Sequence, residues 1–330
     1  RYLQHFGWTP TKFTDKGNPM VDESVLKGVK GIPECKLISE YFLISKREAM
    51  LRNILGQIET DSRVHGYVNT NGAVTGRMTH SSPNMAQIPA VKKKDDKVVW
   101  GLGGGYGADF RSLFTVREGY KLVGCDASSL ELRMLAHYMD DTEYTNEILH
   151  GDIHLKNQIA TGLKTRDKAK TFIFAFLYGA GDAKIGSIIG GSDREGKKIK
   201  TNFLNNTPAL RSLREKVINS SGKGFIKGLD GRKIWIRSSH AALNFLLQGA
   251  GAIVMKKALT ILNNNAIMEG LDYKLVGNIH DEFQSEVLDK HATRFGELAI
   301  EAIKEAGQYY ELRCPLDAQT KIGNNWTETH

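Results

Sequence analysis

Two acidic clusters about 155 residues apart constrain the fold of this chain more than any other feature. Asp126 follows the apolar run of VGCDASSLELRM, and the pair Asp281-Glu282 follows the apolar run of GNIHDEFQSEV. Short apolar runs that end at turn residues are typical of buried strands. We therefore expect Asp126 and Asp281 to meet on neighbouring strands of one small sheet flanked by helices.

The segment RDKAKTFIFAFLYG, between the two clusters, places four side chains four residues apart: Arg166, Lys170, Phe174 and Tyr178. Four residues come within about 40° of a full helical turn, so these side chains form one slowly drifting stripe on a helix. Thr165 or Asp167 is expected near the N-cap, and the glycines of YGAG are expected to end the helix. One side of this helix thus presents positive charge, an aromatic ring and a hydroxyl.

This combination indicates a class of chemistry. Two carboxylates that share metal ions, opposite a helix with positive charge and a flat ring, would suit a nucleoside triphosphate. We therefore interpret the chain as a nucleotidyl transferase. A net charge of +8 favours a polyanionic partner such as nucleic acid. The charge recurs in VKKKDDK, REGKKIK and LREKVINSSGKGFIKGLDGRK, which are either solvated surfaces or loops that grip a phosphate backbone.

The composition excludes several other classes. A chain of 330 residues with 41% hydrophobic content is typical of a soluble globular protein of two or three domains. No uninterrupted apolar run has the roughly 18 to 20 residues of a membrane span, and RYLQHFGWTP lacks the apolar core of a signal peptide. Three widely spaced cysteines without a C-x-x-C pair argue against a zinc site and indicate a reducing compartment. We expect a cytoplasmic protein, and a fragment or processed piece of a longer one.

Further elements can be predicted from periodicity. Residues 46–60 have helical spacing, with Ser45 as a candidate N-cap. Asn71-Gly72 predicts a tight turn between two antiparallel strands. A strand over 120–125 should lead into a helix over LELRMLAHYM, and KLVGNIHDEFQSEV should form strand, tight turn and strand. Two more helices are predicted over 240–264 and 290–307.

With these residues in place, the chain resembles the family A DNA polymerases, the group of bacterial DNA polymerase I, and among them the replicative polymerases of short-tailed bacteriophages. The matching segments occur in the family's order and cover most of residues 60–330. They are TGRMTHSSPNMAQIP (75–89), DASSLELR (126–133), GDIH (151–154), RDKAKTFIFAFLYGAG (166–181), GLDGRK (228–233), AALNFLLQGAG (241–251) and HDE (280–282).

The resemblance implies an α+β right-hand polymerase fold, with an antiparallel palm sheet, helical fingers and a remnant of the thumb. It implies the C-terminal part of the thumb at 1–60, the palm at 61–138 and 244–330, and the fingers at 139–243. The implied activity is template-directed DNA synthesis in phage-type replication, in the host cytoplasm if the protein is phage-encoded. The implied partners are primer–template DNA and deoxynucleoside triphosphates (dNTPs), with no membrane. A processivity factor, or thumb and exonuclease portions of a longer protein, would be further partners.

The resemblance also assigns the acidic clusters. It implies that Asp126 and Asp281 are catalytic and bind two Mg²⁺ ions, with the backbone carbonyl of Ala127 as a further ligand. Glu282 would be an auxiliary ligand or a residue behind the ligands. Two such ions would lower the pKa of the primer 3′-hydroxyl and neutralise the pyrophosphate leaving group.

A further set of residues is implied to bind the dNTP. Arg166 and Lys170 would hold the triphosphate, and Lys170 would also protonate the leaving group. His154 would lie near the β-phosphate, although a lone histidine is more often structural. Phe174 and Tyr178 would frame the base and sugar. The last member of the set, Glu131, would act as a gate that leaves no room for a ribose 2′-hydroxyl.

Phage relatives often carry tyrosine at the position of Phe174. The missing hydroxyl predicts stronger discrimination against dideoxynucleotides. The resemblance further implies contacts to the minor groove of the primer–template, where base acceptors are present for every correct pair. The implied residues are Arg77, Gln248 and His280. Weaker candidates, for which loop and helix-end hydrogen bonding is an equal alternative, are Asn84, Gln87 and Asn244.

Two glycine motifs argue for other sites only weakly. Residues 103–108 satisfy G-x-G-x-x-A without an enclosing βαβ unit, and residues 191–197 fit G-x-x-x-x-G-K but are followed by Lys198 instead of Ser or Thr. Three alternative functions remain: a single-subunit RNA polymerase-like enzyme, a catalytically silent primer–template-binding fragment, and a two-metal nuclease. Glu131 and Glu282 favour DNA synthesis over RNA synthesis, and the triphosphate stripe would have no purpose in a nuclease.

Overall fold

The computed structural model of this chain describes residues 2–10, 13–29 and 31–330. It contains two compact units. Unit 1 comprises Arg1–Tyr67 and His80–Phe114, and unit 2 comprises Val68–Thr79 and Thr115–His330. These units do not separate the predicted palm from the predicted fingers, so those domain boundaries stay predictions.

Three helices begin unit 1: α1 (Tyr2–His5), α2 (Glu23–Lys27) and α3 (Glu34–Leu55). The predicted helix over 46–60 is partly correct, because residues 46–55 lie in α3. Both predicted ends are wrong: Ser45 lies inside the helix, and residues 56–60 lie beyond its last residue, Leu55. The helix begins after Pro33, with Glu34 in its first turn, which is the favourable place for an acidic residue. A small core of Leu3, Leu26, Ile32 and Cys35 holds this part together.

Short strands follow α3. β1 (Tyr67–Asn69) pairs with β2 (Thr79–Ser81), and the chain passes between the units within these two strands. The predicted tight turn at Asn71-Gly72 is wrong. Residues 70–78 form a longer connection, in which the Gly76 N–H donates to the Ala73 carbonyl at 2.8 Å and Gly76 has φ 77°. β3 (Lys93–Lys94), β4 (Lys97–Val98) and α4 (Gly107–Ser112) complete unit 1.

Unit 2 contains the larger hydrophobic core, which is built from helices, a four-stranded sheet and a two-stranded sheet. Its elements are β5 (Tyr120–Ala127), α5 (Leu130–Met139), α6 (Thr142–His150), α7 (Ile153–Thr161), α8 (Arg166–Leu177), α9 (Asp182–Ile189), α10 (Asp193–Asn206), α11 (Pro208–Ser221), β6 (Phe225–Lys227), β7 (Lys233–Trp235), α12 (Ala242–Met268), β8 (Tyr273–Ile279), β9 (Glu282–Leu288), α13 (Ala292–Tyr309) and β10 (Ala318–Gly323). The predicted helices over 130–139, 240–264 and 290–307 are confirmed as α5, α12 and α13.

The main sheet has four antiparallel strands in the order β10-β5-β9-β8. Helix α13 packs on β5, β9 and β10, and α12 packs on α13 and α5. Successive side chains of a strand point to opposite faces of the sheet. One face of the sheet is therefore apolar, and α13 covers that face. The predicted strand, tight turn and strand over KLVGNIHDEFQSEV is confirmed, because β8 and β9 pair antiparallel and are joined by two residues.

The long helix α12 supplies much of the core. Together with the turn before it, the stretch Ser239–Met268 is long and apolar enough to cross a membrane by length and composition. However, 67% of its most apolar 18-residue window is buried inside the structure. The polar Asn244 and Gln248 interrupt its apolar sequence, which is why no uninterrupted apolar run is found there.

Candidate active site

The ends of β5 and β9 bring the acidic clusters together. Asp126 lies directly opposite Glu282 in the antiparallel register. Just beyond the ladder, the Ala127 N–H donates to the Asp281 carbonyl at 3.0 Å. His280, which begins the turn into β9, has φ 62°. The prediction that Asp126 and Asp281 meet on neighbouring strands is thus confirmed.

Negative charge is concentrated at this sheet end. The Asp126 side chain reaches the surface, yet loss of hydration and the nearby Asp281 and Glu282 carboxylates raise its pKa to about 7. Burial likewise raises the pKa of Asp281. On the same strand, burial and the Asp126 carboxylate raise the pKa of the Cys125 thiol to about 12. A divalent cation would relieve this excess of negative charge.

The carboxylate oxygens of Asp126 and Asp281 are suitable ligands for magnesium. Mg²⁺ usually takes one or two carboxylates, keeps several waters and completes its shell with substrate phosphates. Among residues 2–10, 13–29 and 31–330, no group of three or more His, Cys, Asp or Glu side chains is arranged to hold a metal ion alone. Asp126 and Asp281 are therefore an open pair of oxygen donors, which leaves coordination positions for a substrate.

Glu282 has a different environment from the two aspartates. Its buried carboxylate accepts hydrogen bonds from Gln284 Nε2 at 2.6 Å and Trp326 Nε1 at 2.7 Å, and His330 Nδ1 lies 2.9 Å from its second oxygen. Burial opposes ionisation, but the hydrogen bonds from His330, Trp326 and Gln284 outweigh it and lower the pKa. Both oxygens of Glu282 thus have protein partners in this structure.

The partners of Glu282 are not among the residues predicted from the sequence. Gln284 lies two residues further along β9 and so shares a face with Glu282, which sequence alternation could have indicated. Trp326 and His330 follow β10, and no sequence pattern links them to Glu282. The Thr329 hydroxyl supports the group by donating to Gln284 Oε1 at 2.9 Å.

Helix α8 forms the predicted stripe. Thr165 is its N-cap and accepts a hydrogen bond from the Lys168 N–H, and Gly179 with φ 76° follows its C-terminus. Arg166, Lys170 and Tyr178 are exposed and Phe174 is half-buried. The neighbouring face of the helix is buried and consists of Ala169, Phe172, Ile173, Phe176 and Leu177. Because the buried face fixes the rotation of the helix, the stripe is presented outward.

The start of the stripe is joined to His154 through Asp152. Arg166 Nε donates to Asp152 Oδ2 at 2.6 Å, while Asp152 caps α7 by accepting from the His154 N–H at 3.0 Å. The hydrogen bond from Arg166 lowers the pKa of Asp152. Burial, Arg166 and Lys170 lower the pKa of His154, whose ring centroid lies 6.3 Å from that of Phe174. His154, Arg166 and Phe174 are therefore neighbours.

The far end of the stripe meets two residues from distant segments. The Tyr178 hydroxyl donates to Glu131 Oε1 at 2.9 Å, and Arg77 lies 3.3 Å from the same oxygen. Burial and the Glu131 carboxylate raise the pKa of Tyr178. Arg77, Glu131 and Tyr178, for which the resemblance implies different tasks, are thus in contact.

The residues proposed for the minor groove lie in several places. Asn244 is buried and Gln248 half-buried near the start of α12, and His280 is exposed in the turn before β9. Within unit 1, Asn84 and Gln87 are exposed at a short 3₁₀ turn, Met85–Gln87. The predicted roles of these residues stay predictions.

Comparison with known proteins places this geometry in context. The model for DNA polymerase family A matches residues 2–328. The chain is 44% identical to a DNA-directed DNA polymerase of Enterobacteria phage T3 and 43% identical to that of Escherichia phage T7, over 99% of this chain in each case. Each match covers 51% of the phage protein, so the chain spans about half the length of these curated relatives.

A solved structure shares the fold. It is described as the POL domain of Pol1 from M. smegmatis in complex with DNA primer-template and dNTP. Its TM-score is 0.83 at 22% identity, and the match covers 97% of this chain and 58% of that one. This likeness confirms the predicted α+β right-hand polymerase fold.

Proposed function

Because this chain belongs to DNA polymerase family A, as its motifs predict, we propose that it adds deoxynucleotides to a primer 3′-hydroxyl under the direction of a template, with release of pyrophosphate. The observation that carries this proposal is the juxtaposition of Asp126 and Asp281 at paired strand ends. The similarity to the T3 and T7 proteins supports a role in phage-type DNA replication in the host cytoplasm.

Asp126, Asp281 and the Ala127 carbonyl would hold two Mg²⁺ ions. When bound, the ions would favour ionisation of the primer 3′-hydroxyl and neutralise the charge that develops on pyrophosphate. The raised pKa values of both aspartates support this assignment, because cations at the site would offset the repulsion. Glu282 would position Asp126 from the neighbouring strand and would not bind metal directly, since its oxygens already have partners.

The α8 stripe would bind the incoming dNTP. Arg166 and His154, joined through Asp152, would contact the phosphates. The exposed ammonium of Lys170, one turn further along, would hold the triphosphate and donate a proton to the departing pyrophosphate. Phe174 and Tyr178 would frame the base and sugar.

Glu131 would exclude ribonucleotides. Its side chain is only 14% exposed and is fixed by Tyr178 and Arg77, so it cannot easily move away from a ribose 2′-hydroxyl. Arg77 would thereby link sugar selection to the minor-groove surface that it forms with Gln248 and His280. Asn244 would extend that surface within unit 2, and Asn84 and Gln87 would contact the primer–template from unit 1.

We retain the predicted domains as part of the proposal. The four-stranded sheet with α12 and α13 would form the palm at 61–138 and 244–330, and helices α6 to α11 would form the fingers at 139–243. Residues 1–60 would belong to the thumb. Since the phage relatives are about twice as long, we propose that further protein, in a longer chain or a processivity factor, strengthens the grip on duplex DNA.

Primer extension tests the proposal. A labelled primer on a DNA template is incubated with Mg²⁺ and either dNTPs or ribonucleotides. We expect extension with dNTPs and pyrophosphate release by the wild type and by Asp289→Asn, an exposed acid at the turn before α13. Asp126→Asn should remove extension while the protein still binds DNA.

Each alternative function has its own outcome. Extension with ribonucleotides at a comparable rate would indicate an RNA polymerase-like enzyme. DNA binding without extension would indicate a silent binding fragment, and release of nucleoside monophosphates would indicate a nuclease. Any of these three results would overturn the proposed function.

A further inference from the structure

The segment VKKKDDKVV forms a regular hairpin in unit 1 whose role the proposed function does not explain. Lys94 pairs with Lys97 and Lys93 with Val98, and the Val99 N–H donates to the Lys92 carbonyl at 2.9 Å. The turn residues Asp95 and Asp96 have φ of 50° and 59°. Two successive positive φ values are the geometry that suits a two-residue hairpin.

Three lysines share one face of this hairpin, which we call the lysine face: Lys92, Lys94 and Lys97. They share it because alternate residues of a strand, and residues directly opposite across a pair, point the same way. Lys94 and Lys97 form a like-charge cross-strand pair, which destabilises a hairpin. All three are exposed, and none forms an ion pair within the part of the chain that the structure describes. Folding alone therefore does not account for them.

The glycine-rich turn after the hairpin supports its base. A Cβ on Gly104 would lie 1.9 Å from the Val99 carbonyl oxygen, and a Cβ on Gly107 would lie 1.9 Å from that of Ala90. The turn thus packs directly against the backbone that enters and leaves the hairpin, which any side chain at these positions would prevent. This packing explains glycines that otherwise resemble a dinucleotide motif.

A fourth cation lies at the same base. Arg47 of α3 donates from Nε to the Gly105 carbonyl at 2.9 Å. A Cβ on Gly105 would lie 3.5 Å from Lys92 Nζ and 4.0 Å from Arg47 Nη2, so both cations lie beside this glycine. Positive charge therefore extends from the lysine face to Arg47, beside the glycine-rich turn.

We propose that the lysine face of unit 1 binds the phosphate backbone of double-stranded DNA. The inference rests on the proposed function, which makes DNA the polyanion available to this chain. Lysine ammonium groups contact phosphates without reading sequence, and each contact releases counterions. Single-strand sites combine positive charge with stacking aromatic rings, and the lysine face has no ring. Duplex DNA is thus the better match.

The salt dependence of binding to a labelled duplex, measured without dNTPs, tests the proposal. For B-DNA, each phosphate contact contributes about 0.9 to the slope of log K against log salt. Lys94→Gln/Lys97→Gln should therefore lower the magnitude of the slope by about 1.8. Relative to about 1 M salt, where these contacts contribute little, this corresponds to roughly 60-fold weaker binding at about 0.1 M salt. Lys94→Arg/Lys97→Arg should keep the wild-type slope.

A matched control removes the same charge elsewhere. Lys290 lies just before α13 and Lys304 lies within it, and both are exposed. Lys290→Gln/Lys304→Gln should leave the slope of log K against log salt unchanged. An unchanged slope for a Lys94/Lys97 glutamine variant that melts like the wild type would overturn the proposal, as would an equal loss in the control. A slope change restricted to single-stranded DNA would overturn the assignment to duplex. Failure of the wild type to bind any DNA would instead contradict the proposed function.

Discussion

The Tyr178 hydroxyl donates a 2.9 Å hydrogen bond to the Glu131 carboxylate, which joins the end of α8 to the first turn of α5. Arg77 approaches the same carboxylate oxygen at 3.3 Å. A carboxylate held by two donors has a fixed position. This is the property needed to exclude one additional hydroxyl from a bound sugar.

Glu131→Ala should open that space. We expect the preference for dNTPs over ribonucleotides, as a ratio of kcat/KM, to fall at least about tenfold, because an unfavourable polar contact with the 2′-hydroxyl is removed. Tyr178→Phe should give a smaller decrease in the same ratio. Glu143→Ala on α6, where the carboxylate is exposed, is the control and should retain the wild-type ratio. An unchanged ratio in Glu131→Ala would exclude the gate.

Lys170→Gln should lower kcat without a matching loss of DNA binding. A positioned proton donor contributes about 10²- to 10⁴-fold, so single-turnover incorporation should slow by that factor. Lys168→Gln is a control on the same helix, since Lys168 Nζ bonds to the Ile189 carbonyl at 3.1 Å and lies outside the stripe. Equal effects of the two substitutions would show that only net helix charge matters.

Phe174→Tyr should increase dideoxynucleotide incorporation. The added hydroxyl would substitute for the missing 3′-hydroxyl of the nucleotide, and one hydrogen bond of about 1.4 kcal/mol corresponds to roughly tenfold. Competition between dideoxy- and deoxynucleotides measures the change. Equal incorporation of both by the wild type would contradict the predicted discrimination.

Asp126 should make unfolding depend on pH when metal is removed. Burial and the neighbouring carboxylates raise its pKa from 3.8 to about 7. The folded protein therefore holds a proton that the unfolded chain releases at lower pH. This contribution to stability is complete below about pH 4 and is lost as pH rises to about 7.

In a chelator, wild-type stability relative to Asp126→Asn should thus fall between pH 5 and 8. We expect the free energy of unfolding to decrease by roughly 1–2 kcal/mol. This is less than the full pKa shift of Asp126 implies, because its carboxylate is exposed to solvent. Melting temperatures at the two pH values measure it. Added Mg²⁺ should raise the melting temperature of the wild type at pH 8 and have less effect on the variant. A pH-independent difference would contradict the raised pKa.

Trp326→Phe should destabilise the protein through Glu282. It removes the 2.7 Å hydrogen bond from Nε1 to a buried carboxylate, an interaction worth about 1.5–3 kcal/mol. Denaturant titration at pH 7 measures the loss. Trp235→Phe changes a side chain that is 60% exposed and should cost less than about 0.5 kcal/mol. Similar losses in both variants would argue against a special role for the Glu282 hydrogen bonds.

Local sequence patterns predicted several elements well. The helices α5, α8 and α13 have apolar periodicity, and α12 is recognisable as a long, mostly apolar stretch that is buried on nearly all sides. The strands β8 and β9 alternate on either side of a polar turn. The errors at α3 and at residues 70–78 have a common origin. Where a helix starts and how long a turn is depend on the hydrogen bonds of single residues, such as Pro33 and Gly76. Many different sequences can form these hydrogen bonds equally well, so a local pattern does not predict them.

The amino-acid sequence alone indicates which carboxylates and cations are available and that strands and a striped helix present them. These properties follow from side-chain chemistry and from the periods of 2 and 3.6 residues, which are local. The contacts of Tyr178 and Arg77 with one carboxylate oxygen of Glu131, and those of Trp326 and His330 with Glu282, become visible only in the folded protein. Such contacts join segments far apart in sequence, and their formation depends on how the whole core packs, which no local pattern encodes.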